Sequence, residues 1–217
     1  MSEQIFIHRV VGPLQCNCYV VGDPATREAI VIDPGGDADA LVEEIAAQKL
    51  LVTAIVATHA HFDHVLAAAR LRELTGASFH MHAEDRPLLA WMRESGYLFL
   101  GVDLGDPPEV DTEISEDDDL RAGGAALRVI HTPGHSPGSI SLLGGSNLFA
   151  GDTLFAGSVG RYDLPGGDGD ALARSIRMRL FPLPDDMPVH PGHGPSTTIA
   201  RERATNPFVG EGRDGGL

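Results

Sequence analysis

Apolar residues along the chain occur in two patterns, one typical of β-strands and one typical of α-helices. Short apolar runs bounded by glycine, proline or aspartate predict strands at Ile5 to Val11, Cys18 to Val21, Ala29 to Ile32, Leu51 to Ala57, Ser78 to Met81, Ala125 to Ile130, Ser139 to Leu143, Leu148 to Ala150 and Pro188 to His190. Apolar residues at helical spacing predict helices at Asp37 to Leu50, Val65 to Leu74, Asp85 to Glu94, Asp170 to Phe181 and Thr197 to Ala204. Strands and helices therefore follow one another in two similar successions.

Segments between these elements carry their own predictions. Asp37 is in position to cap the helix that it begins, because a short polar side chain can accept a hydrogen bond from the first turn. Gly96 to Pro108 is rich in glycine, aspartate and proline, so we expect a long loop that borders the functional site. The acidic run from Glu113 to Asp119 lacks the alternating donors and turning glycine of a calcium loop, and it is interpreted as solvated surface.

Length and composition predict one substantial hydrophobic core. With 217 residues and a hydrophobic content of 42%, a single domain spanning residues 1–217 is the expectation. The formal net charge of −15 argues against nucleic acid and acidic membrane surfaces as partners, because phosphate binding needs a basic surface. We therefore expect a small-molecule partner, and a monomer or a small homo-oligomer as the assembly.

Two features of the chain predict a cytoplasmic location. The stretch Met1 to Arg9 lacks the basic segment and apolar run of a signal peptide, and no apolar run approaches the roughly 20 residues that span a bilayer. Cys16 and Cys18 are separated by a single residue, which suits reduced strand thiols better than a disulfide framework. A soft metal site at these thiols is the weaker interpretation.

The stretch Thr58-His59-Ala60-His61-Phe62-Asp63-His64 places four potential metal ligands directly behind an apolar strand. In an extended chain alternate residues point to the same side, so His59, His61 and Asp63 could converge, whereas His64 needs a turn. That turn is expected between the strand and the helix predicted on either side, a common location for a binding site. The alternative is an accidental cluster of histidines, but the spacing favours a metal site.

The second half of the chain offers further ligands, each in a turn that follows a predicted strand. His135 lies in Pro133-Gly134-His135, Asp152 lies in Gly151-Asp152-Thr153, and His193 lies in Gly192-His193-Gly194. Glycine borders each turn, so the backbone can approach a bound group closely. Imidazole and carboxylate donors of this kind suit zinc, iron or manganese.

Taken in order, the His-x-His-x-Asp-His, Pro-Gly-His, Gly-Asp-Thr and Gly-His-Gly motifs resemble those of the metallo-β-lactamase superfamily. The stretch from Gly151 to Asp168 is similar to the short glyoxalase II-like, or hydroxyacylglutathione hydrolase-like, hydrolases. The resemblance covers nearly the whole chain. It implies an α/β (α+β) fold, a four-layer αββα sandwich with the site at one edge of the two sheets, which agrees with the two successions of strands and helices.

The resemblance also implies a complete set of metal-ligand positions. It assigns one ion to His59, His61 and His135. It assigns a second ion to Asp63, His64 and His193, with Asp152 as the bridge between the two. Asp33 is placed behind the metal site, and Asp63 would also act in catalysis by orienting the nucleophile. The remaining histidines match no ligand position and are predicted to have structural or surface roles, with the last two as candidates for supporting the ligands: His8, His80, His82, His131 and His190.

Two adjacent divalent ions would supply the chemistry that the resemblance implies. They can share a water and lower its pKa, so that a metal-bridging hydroxide attacks a carbonyl carbon while one ion stabilises the developing oxyanion. This predicts a metal-dependent thioester hydrolase of the glyoxalase II type, acting on S-lactoylglutathione or a related small acyl thioester. Zinc is the first choice for the ions, and iron or manganese also suits the donors.

Substrate contacts are expected in the loop that follows Asp152. Full-length glyoxalase II carries a C-terminal helical segment that contacts glutathione, and we expect that segment to be absent here because few residues follow His193. Arg161 and Tyr162 are then the predicted substrate contacts. An ion pair of Arg161 with Asp163 or Asp168 that braces the loop is the open alternative, since a bidentate arginine serves either role.

Two other functions stay open at the level of sequence. One is a persulfide dioxygenase that uses a single iron at the His59, His61 or His135 side. The other is a non-catalytic metal-binding protein with no open coordination position and no turnover. A nuclease is disfavoured by the acidic charge and by the lack of an inserted segment that could clamp a nucleic acid.

Overall fold

The structure, a computed structural model, describes residues 4–213 and residue 217. Residues 1–3, part of the stretch that argues against a signal peptide, lie outside the described residues. In spatial order, the first sheet contains β1 (Ile5–Val11), β2 (Cys16–Gly22), β3 (Glu28–Ile32), β4 (Leu51–Val56), β5 (Ser78–His82) and β6 (Thr112–Ile114). The second sheet contains β14 (Thr197–Thr198), β13 (Pro188–Pro191), β10 (Asn147–Gly151), β9 (Ile140–Gly144), β8 (Ala125–His131) and β7 (Asp119–Ala122).

Helices and short turns connect these strands. The helices are α1 (Ala38–Ala47), α2 (Phe62–Val65), α3 (Ala68–Thr75), α4 (Arg86–Ala90), α5 (Met92–Leu100), α6 (Gly169–Ser175) and α7 (Ile199–Thr205). A 3₁₀ turn at Ala83–Asp85 precedes α4, and a π turn at Ile176–Leu180 extends α6. A separate two-stranded hairpin contains β11 (Leu154–Phe155) and β12 (Ser158–Val159).

Strand direction explains why the functional residues collect at one edge. Strands β3, β4, β5 and β6 are parallel neighbours, with α1 and α3 as the crossovers from β3 to β4 and from β4 to β5. In the second sheet β10 and β13 are parallel, whereas β7 to β10 are antiparallel. The carboxyl ends of parallel strands meet at the same edge of a sheet, so the turns that follow them lie close together.

Three hydrophobic cores separate four layers. In β3, Ala29 and Val31 pack with the helices outside the first sheet, while Ile30 and Ile32 pack between the two sheets. This alternation has the period of two that a strand imposes on its side chains, and both faces of β3 are covered. A third core lies between the second sheet and the helices α6 and α7, with Leu172 and Ile199 among its members. The predicted four-layer αββα sandwich is thus confirmed.

Several predicted boundaries were wrong for local reasons. Asp37 does not cap α1, because it adopts φ 55° and its Oδ2 accepts a hydrogen bond from the Gly12 N–H at 2.9 Å instead. The helix predicted from Val65 is divided into α2 and α3, and α2 begins earlier, at Phe62. The loop predicted from Gly96 to Pro108 begins later, because α5 continues to Leu100.

Short strands were the other elements that the sequence pattern missed: β6, β7, β11, β12 and β14. In β7 the acidic run ends in an alternating segment, in which Leu120 and Ala122 are buried while Asp119 and Arg121 are exposed. Charged residues on the outer face concealed this period of two. Within the described residues, no helix is long and apolar enough to cross a membrane. Cys16 and Cys18 are both free and buried in β2.

Candidate metal centre

The ligands predicted in the first half follow the end of β4. Residues 57–61 lead from β4 into the single helical turn α2, and this turn carries Asp63 and His64 round to the side of His59 and His61. The predicted location in a strand-to-helix loop is therefore confirmed. His59 and His64 are buried, at 2% and 0% exposure, which removes their imidazoles from bulk water.

The first group of donors brings together residues from two sheets. His135 Nε2 lies 3.2 Å from His59 Nε2 and 2.9 Å from His61 Nδ1. The other ring nitrogen of His135, Nδ1, donates a hydrogen bond to the Arg161 carbonyl at 2.6 Å. In a neutral ring this fixes the proton on Nδ1 and leaves a lone pair on Nε2, facing the other two imidazoles.

The second group contains Asp63, His64 and His193. His193 Nε2 lies 3.3 Å from His64 Nε2 and 3.1 Å from Asp63 Oδ2. The second nitrogen of each ring is held from behind, since His64 Nδ1 lies 3.1 Å from Asp33 Oδ2 and His193 Nδ1 donates to the Gln15 carbonyl at 3.3 Å. In neutral rings both Nε2 lone pairs therefore face the same point.

Asp152, which follows β10, lies between the two groups. Its Oδ1 is 3.5 Å from His64 Nε2, while its Oδ2 is 3.6 Å from His135 Nε2 and 3.8 Å from His193 Nε2. Within residues 4–213, no hydrogen-bond partner meets the buried Oδ1. Gly192 allows the turn after β13 to lie close to two of these side chains, because a Cβ there would be 2.2 Å from Asp152 Oδ1 and 2.6 Å from His64 Cε1.

Asp33 supports two of the ligands at once. It is 1% exposed with φ 51°, and its Oδ1 and Oδ2 accept hydrogen bonds from the Thr58 N–H at 2.7 Å and the Thr58 hydroxyl at 2.8 Å. Because that hydroxyl donates to Asp33, its oxygen accepts from His59 Nδ1 at 3.2 Å. His59 Nε2 thus carries a lone pair as well. A strained φ of this kind persists where the surrounding contacts over-determine it.

Electrostatics favour neutral imidazoles in the first group. Burial, and then the nearby His64 and His135 rings, hold the pKa of His59 well below its ordinary value. Burial and His135 lower the pKa of His61 to about 3. These two rings are therefore deprotonated at neutral pH and available as donors.

The second group is the more acidic half of the site. Burial opposes ionisation of Asp63, but His64 and His193 hold the pKa of this carboxyl below its usual range. Burial likewise opposes protonation of His64, whereas the adjacent Cys16 and then the carboxylates of Asp152 and Asp33 raise its pKa well above the ordinary value. The surrounding carboxylates thus draw positive charge to this position.

The arrangement fits divalent metal ions. Lone pairs that face each other at about hydrogen-bond distance repel unless a cation lies between them, and within the described residues the buried Asp152 Oδ1 has no hydrogen-bond partner. Nitrogen and carboxylate donors with their outer atoms held by hydrogen bonds are typical of metal ligands. The donor groups are His59, His61 and His135; His59, His64 and Asp152; and Asp63, His64 and His193.

Asp85 is a residue that the sequence did not single out. It is fully buried at the end of the 3₁₀ turn, and its Oδ2 accepts hydrogen bonds from the Ala60 N–H at 2.9 Å and the Ser136 hydroxyl at 2.8 Å. Its Oδ1 accepts from the Gly138 N–H at 2.6 Å. Ala60 lies between two predicted ligands and Ser136 follows a third, so one carboxylate connects both loops of the first group. An aspartate before an Arg-Pro helix start is locally typical of a surface residue, which is why no pattern in the sequence indicated this role.

Replacing Asp85 with asparagine is expected to weaken metal binding by about 10–100-fold, the usual effect of losing a group that orients ligands. The amide nitrogen would face the N–H or hydroxyl donors that now bind a carboxylate oxygen. Metal affinity is measured by competition with a chromophoric chelator. Asp106→Asn, at an exposed position, is the matched control. Unchanged affinity in the Asp85 variant would contradict this role.

A cavity of about 510 Å³ opens over the two donor groups. His61, Asp63, His135, Asp152 and His193 form its floor. Its walls are mostly apolar and come from Leu14, Phe62, Phe99, Phe155, Val159 and Leu164. A larger hollow of about 780 Å³ lies elsewhere, beside Phe6 and His190, and none of the seven predicted ligands lines it. Of these two cavities, only the smaller is therefore lined by predicted ligands.

Arg161 lines the cavity, and the neighbouring Tyr162 is outside that lining. The Arg161 guanidinium forms a bidentate ion pair with Asp163, with both N–O distances at 2.9 Å. Asp168, the other partner considered from the sequence, accepts from the Ala171 N–H and caps α6.

Two histidines were candidates from the sequence for supporting the ligands. His190 stacks on Phe149, and His131 donates a hydrogen bond to the Pro137 carbonyl rather than contacting a predicted ligand.

Comparisons with curated proteins place these features in a family. A family model described as the metallo-beta-lactamase superfamily matches residues 11–196. The chain is 46% identical over 204 residues to a protein of Aquifex aeolicus, covering 93% of this chain and 95% of the relative. It is 36% identical to the probable metallo-hydrolase YqgX of Bacillus subtilis, covering 92% and 94%. It is 35% identical to the hydroxyacylglutathione hydrolase GloC of Haemophilus influenzae, covering 92% and 95%.

Solved structures agree with this family. The B3 metallo-beta-lactamase BLEG-1 has a TM-score of 0.88 and 38% identity, over 94% of this chain and 99% of the other. TTHA1623 in a di-iron-bound form has a TM-score of 0.84 and 41% identity, over 93% and 99%. ETHE1 from Myxococcus xanthus has a TM-score of 0.80 and 32% identity, over 94% and 84%. Since the family model spans every donor from His59 to His193, the chain belongs to the metallo-β-lactamase superfamily.

Proposed function

We propose that the protein is a metal-dependent thioester hydrolase of the glyoxalase II type, acting on S-lactoylglutathione or a related small acyl thioester. One observation carries the proposal: two donor groups with Asp152 between them form the floor of an open cavity. A non-catalytic metal site would need no such opening. The likeness to a hydroxyacylglutathione hydrolase over most of both chains supports the substrate class.

Different residues would have different roles in the hydrolysis. Two divalent ions, with zinc as our first choice, would supply a water of lowered pKa and polarise the thioester carbonyl when bound to these donors. Asp63 borders the cavity and is ionised at neutral pH, so its carboxylate can accept a hydrogen bond from the attacking water and orient it. Asp63 Oδ2 lies 3.1 Å from His193 Nε2, so an ion bound by both atoms would fix the direction of that carboxylate.

The cavity walls select the substrate. Phe62, Phe99 and Phe155 would hold the apolar part of the thioester and exclude bulk water from the reacting carbonyl. Arg161 borders the same space, but its guanidinium is already paired with Asp163. A substrate carboxylate would therefore compete with Asp163 for Arg161, and we propose that Arg161 and Tyr162 contribute little to binding compared with the aromatic wall.

A persulfide dioxygenase is the second candidate. The group of His59, His61 and His135 offers three nitrogen donors by itself, which is enough to hold one iron. The structural neighbour TTHA1623 in a di-iron-bound form supports iron as an alternative metal for this chain. The dioxygenase consumes oxygen, whereas the hydrolase does not, so the two functions separate cleanly in an assay.

The test is a substrate panel on purified protein with its metal content measured in parallel. It contains S-lactoylglutathione, an acyl thioester without glutathione, a lactone, a β-lactam and glutathione persulfide with an oxygen electrode. We expect thioester hydrolysis with two metal ions per chain, and its loss in His59→Ala. Because His80 lies outside the donor groups, His80→Ala should keep the activity.

Each other result decides against the proposal in a specific way. Oxygen consumption with persulfide and one iron per chain would establish the dioxygenase. Metal-loaded protein that turns over none of the substrates would support the non-catalytic metal-binding protein instead. Thioester hydrolysis that survives in His59→Ala would place the activity outside this site.

A further inference from the structure

A second cluster of metal-ligand side chains lies outside the cavity. His82 ends β5 in the first sheet, His131 ends β8 in the second sheet, and Glu84 lies in the 3₁₀ turn after β5. The two rings are nearly parallel, with centroids 4.3 Å apart and planes at 13°. One ligand atom from each of the three residues lies within 4.8 Å of the other two. None of the three belongs to the seven predicted ligands.

The hydrogen bonds of the two rings place a lone pair on Nδ1 of each, and that of His82 already accepts a hydrogen bond. His131 Nε2 donates to the Pro137 carbonyl at 2.9 Å, which leaves the lone pair on Nδ1. A ring held by a backbone carbonyl on one nitrogen is the usual arrangement of a metal-ligating histidine. His82 Nδ1 accepts from the Glu84 N–H at 3.3 Å, a long bond that a cation could replace.

Charge around the cluster favours a cation. Burial, and then the adjacent His131 ring, lower the pKa of His82, which keeps this imidazole neutral. Glu84 Oε2 lies 4.0 Å from His131 Nε2, the nitrogen that carries the proton, and its side chain is 58% exposed, so it can turn towards the Nδ1 atoms without disturbing the core. The nearby carboxylates of Glu113 and Glu116 are engaged by arginines, Arg86 and Arg179.

We propose that His82, Glu84 and His131 form a further metal site, which takes a divalent transition-metal ion such as Zn²⁺ and joins the two sheets. Two imidazole nitrogens and one carboxylate oxygen are a donor set that Zn²⁺ accepts, with water in the remaining position. The site binds more weakly than the main centre, because its donors must close from as much as 4.8 Å, the stacked rings must rotate before both lone pairs reach one ion, and Glu84 is largely exposed. This inference does not depend on the proposed function.

The bound ion would act next to the main centre. Glu84 directly precedes Asp85, the carboxylate that holds both loops of the first donor group. His131 begins the loop that leads to His135, and Pro137 in that loop accepts its hydrogen bond. A cation at the cluster would therefore fix the two segments that position these groups, and its binding should raise the melting temperature.

The experiment counts ions on protein whose main centre is already saturated. Zn²⁺ binding is followed by equilibrium dialysis with elemental analysis, and Co²⁺ absorption reports the coordination. His82→Asn keeps an acceptor for the Glu84 N–H, His131→Gln keeps a donor towards Pro137, and Glu84→Gln changes an exposed side chain. His80→Gln, on the same strand, is the matched control.

We expect the unmodified protein to bind one ion beyond the main centre and to melt at a higher temperature when it does. Each of the three variants should bind this ion at least tenfold more weakly while keeping the ions of the main centre, and His80→Gln should behave as the unmodified protein does. The proposal is overturned if saturated protein takes up no further ion at millimolar Zn²⁺. It is equally overturned if the three variants retain the further ion or if the control loses it.

Discussion

Asp152→Ala is expected to abolish thioester hydrolysis and to reduce the number of bound metal ions. The carboxylate faces both donor groups, with Oδ1 near His64 and Oδ2 near His135 and His193. Its removal leaves the lone pairs of these rings without a negative charge to help hold a cation. The loss of activity should exceed the roughly 10–100-fold that follows removal of a mere outer partner. Hydrolysis rates and elemental analysis of the same preparation measure both effects.

The control for this variant is Asp186→Ala, which removes an exposed carboxylate that belongs to none of the donor groups. Circular dichroism should show the same secondary structure for both proteins, because Asp152 follows β10 rather than lying within it. Full metal content together with full activity in Asp152→Ala would show that the two donor groups work without a bridge. Full metal content with no activity would restrict Asp152 to the reaction itself.

Removal of the metal ions is the prediction with the second largest effect. Ions that bind only the folded chain stabilise it by mass action, by about 4 kcal/mol when their concentration is 1,000 times the dissociation constant. In a chain of this length that corresponds to a fall in melting temperature of at least about 8 °C on chelation. The metal-free protein should lose stability for a further reason, because the His59 and His135 lone pairs would face each other at 3.2 Å with no cation between them.

The measurement is a thermal melt with and without a chelator, followed by dialysis and return of one metal at a time. Zinc, iron and manganese are added separately, and the metal that restores both the melting temperature and hydrolysis identifies the working ion. Chelator that has been saturated with zinc beforehand controls for direct effects of the reagent. An unchanged melting temperature after complete removal of metal would contradict the argument from facing lone pairs.

Much of the site could be predicted from the sequence because its chemistry is local. The spacing of His59, His61, Asp63 and His64 behind an apolar strand already required a turn, and α2 provides it. The turns at Asp152 and His193 could also be predicted, because the glycines that border them indicate a turn without reference to any distant contact. The single domain, the cytoplasmic location and the small assembly stay predictions.

The structure was needed wherever residues distant in the chain meet. Asp85 accepts hydrogen bonds from Ala60 and Ser136, and no local sequence pattern predicts that one carboxylate binds two loops. The sequence left Asp163 and Asp168 open as partners of Arg161, and the folded loop pairs it with Asp163. The course of α5, which brings Phe99 to the cavity, was likewise decided by neighbours in space.

The sequence by itself determined the types and the order of the donors and most of the strands and helices of the fold, because these depend on residue identity and on periods of two and 3.6. Only the tertiary structure decided which nitrogen of each ring faces inward. That choice is made by the atoms behind the ring, such as Asp33 behind His64 and the Arg161 carbonyl behind His135. It also brought His82 and His131 together from different sheets, since packing of the two sheets, rather than spacing along the chain, sets that distance.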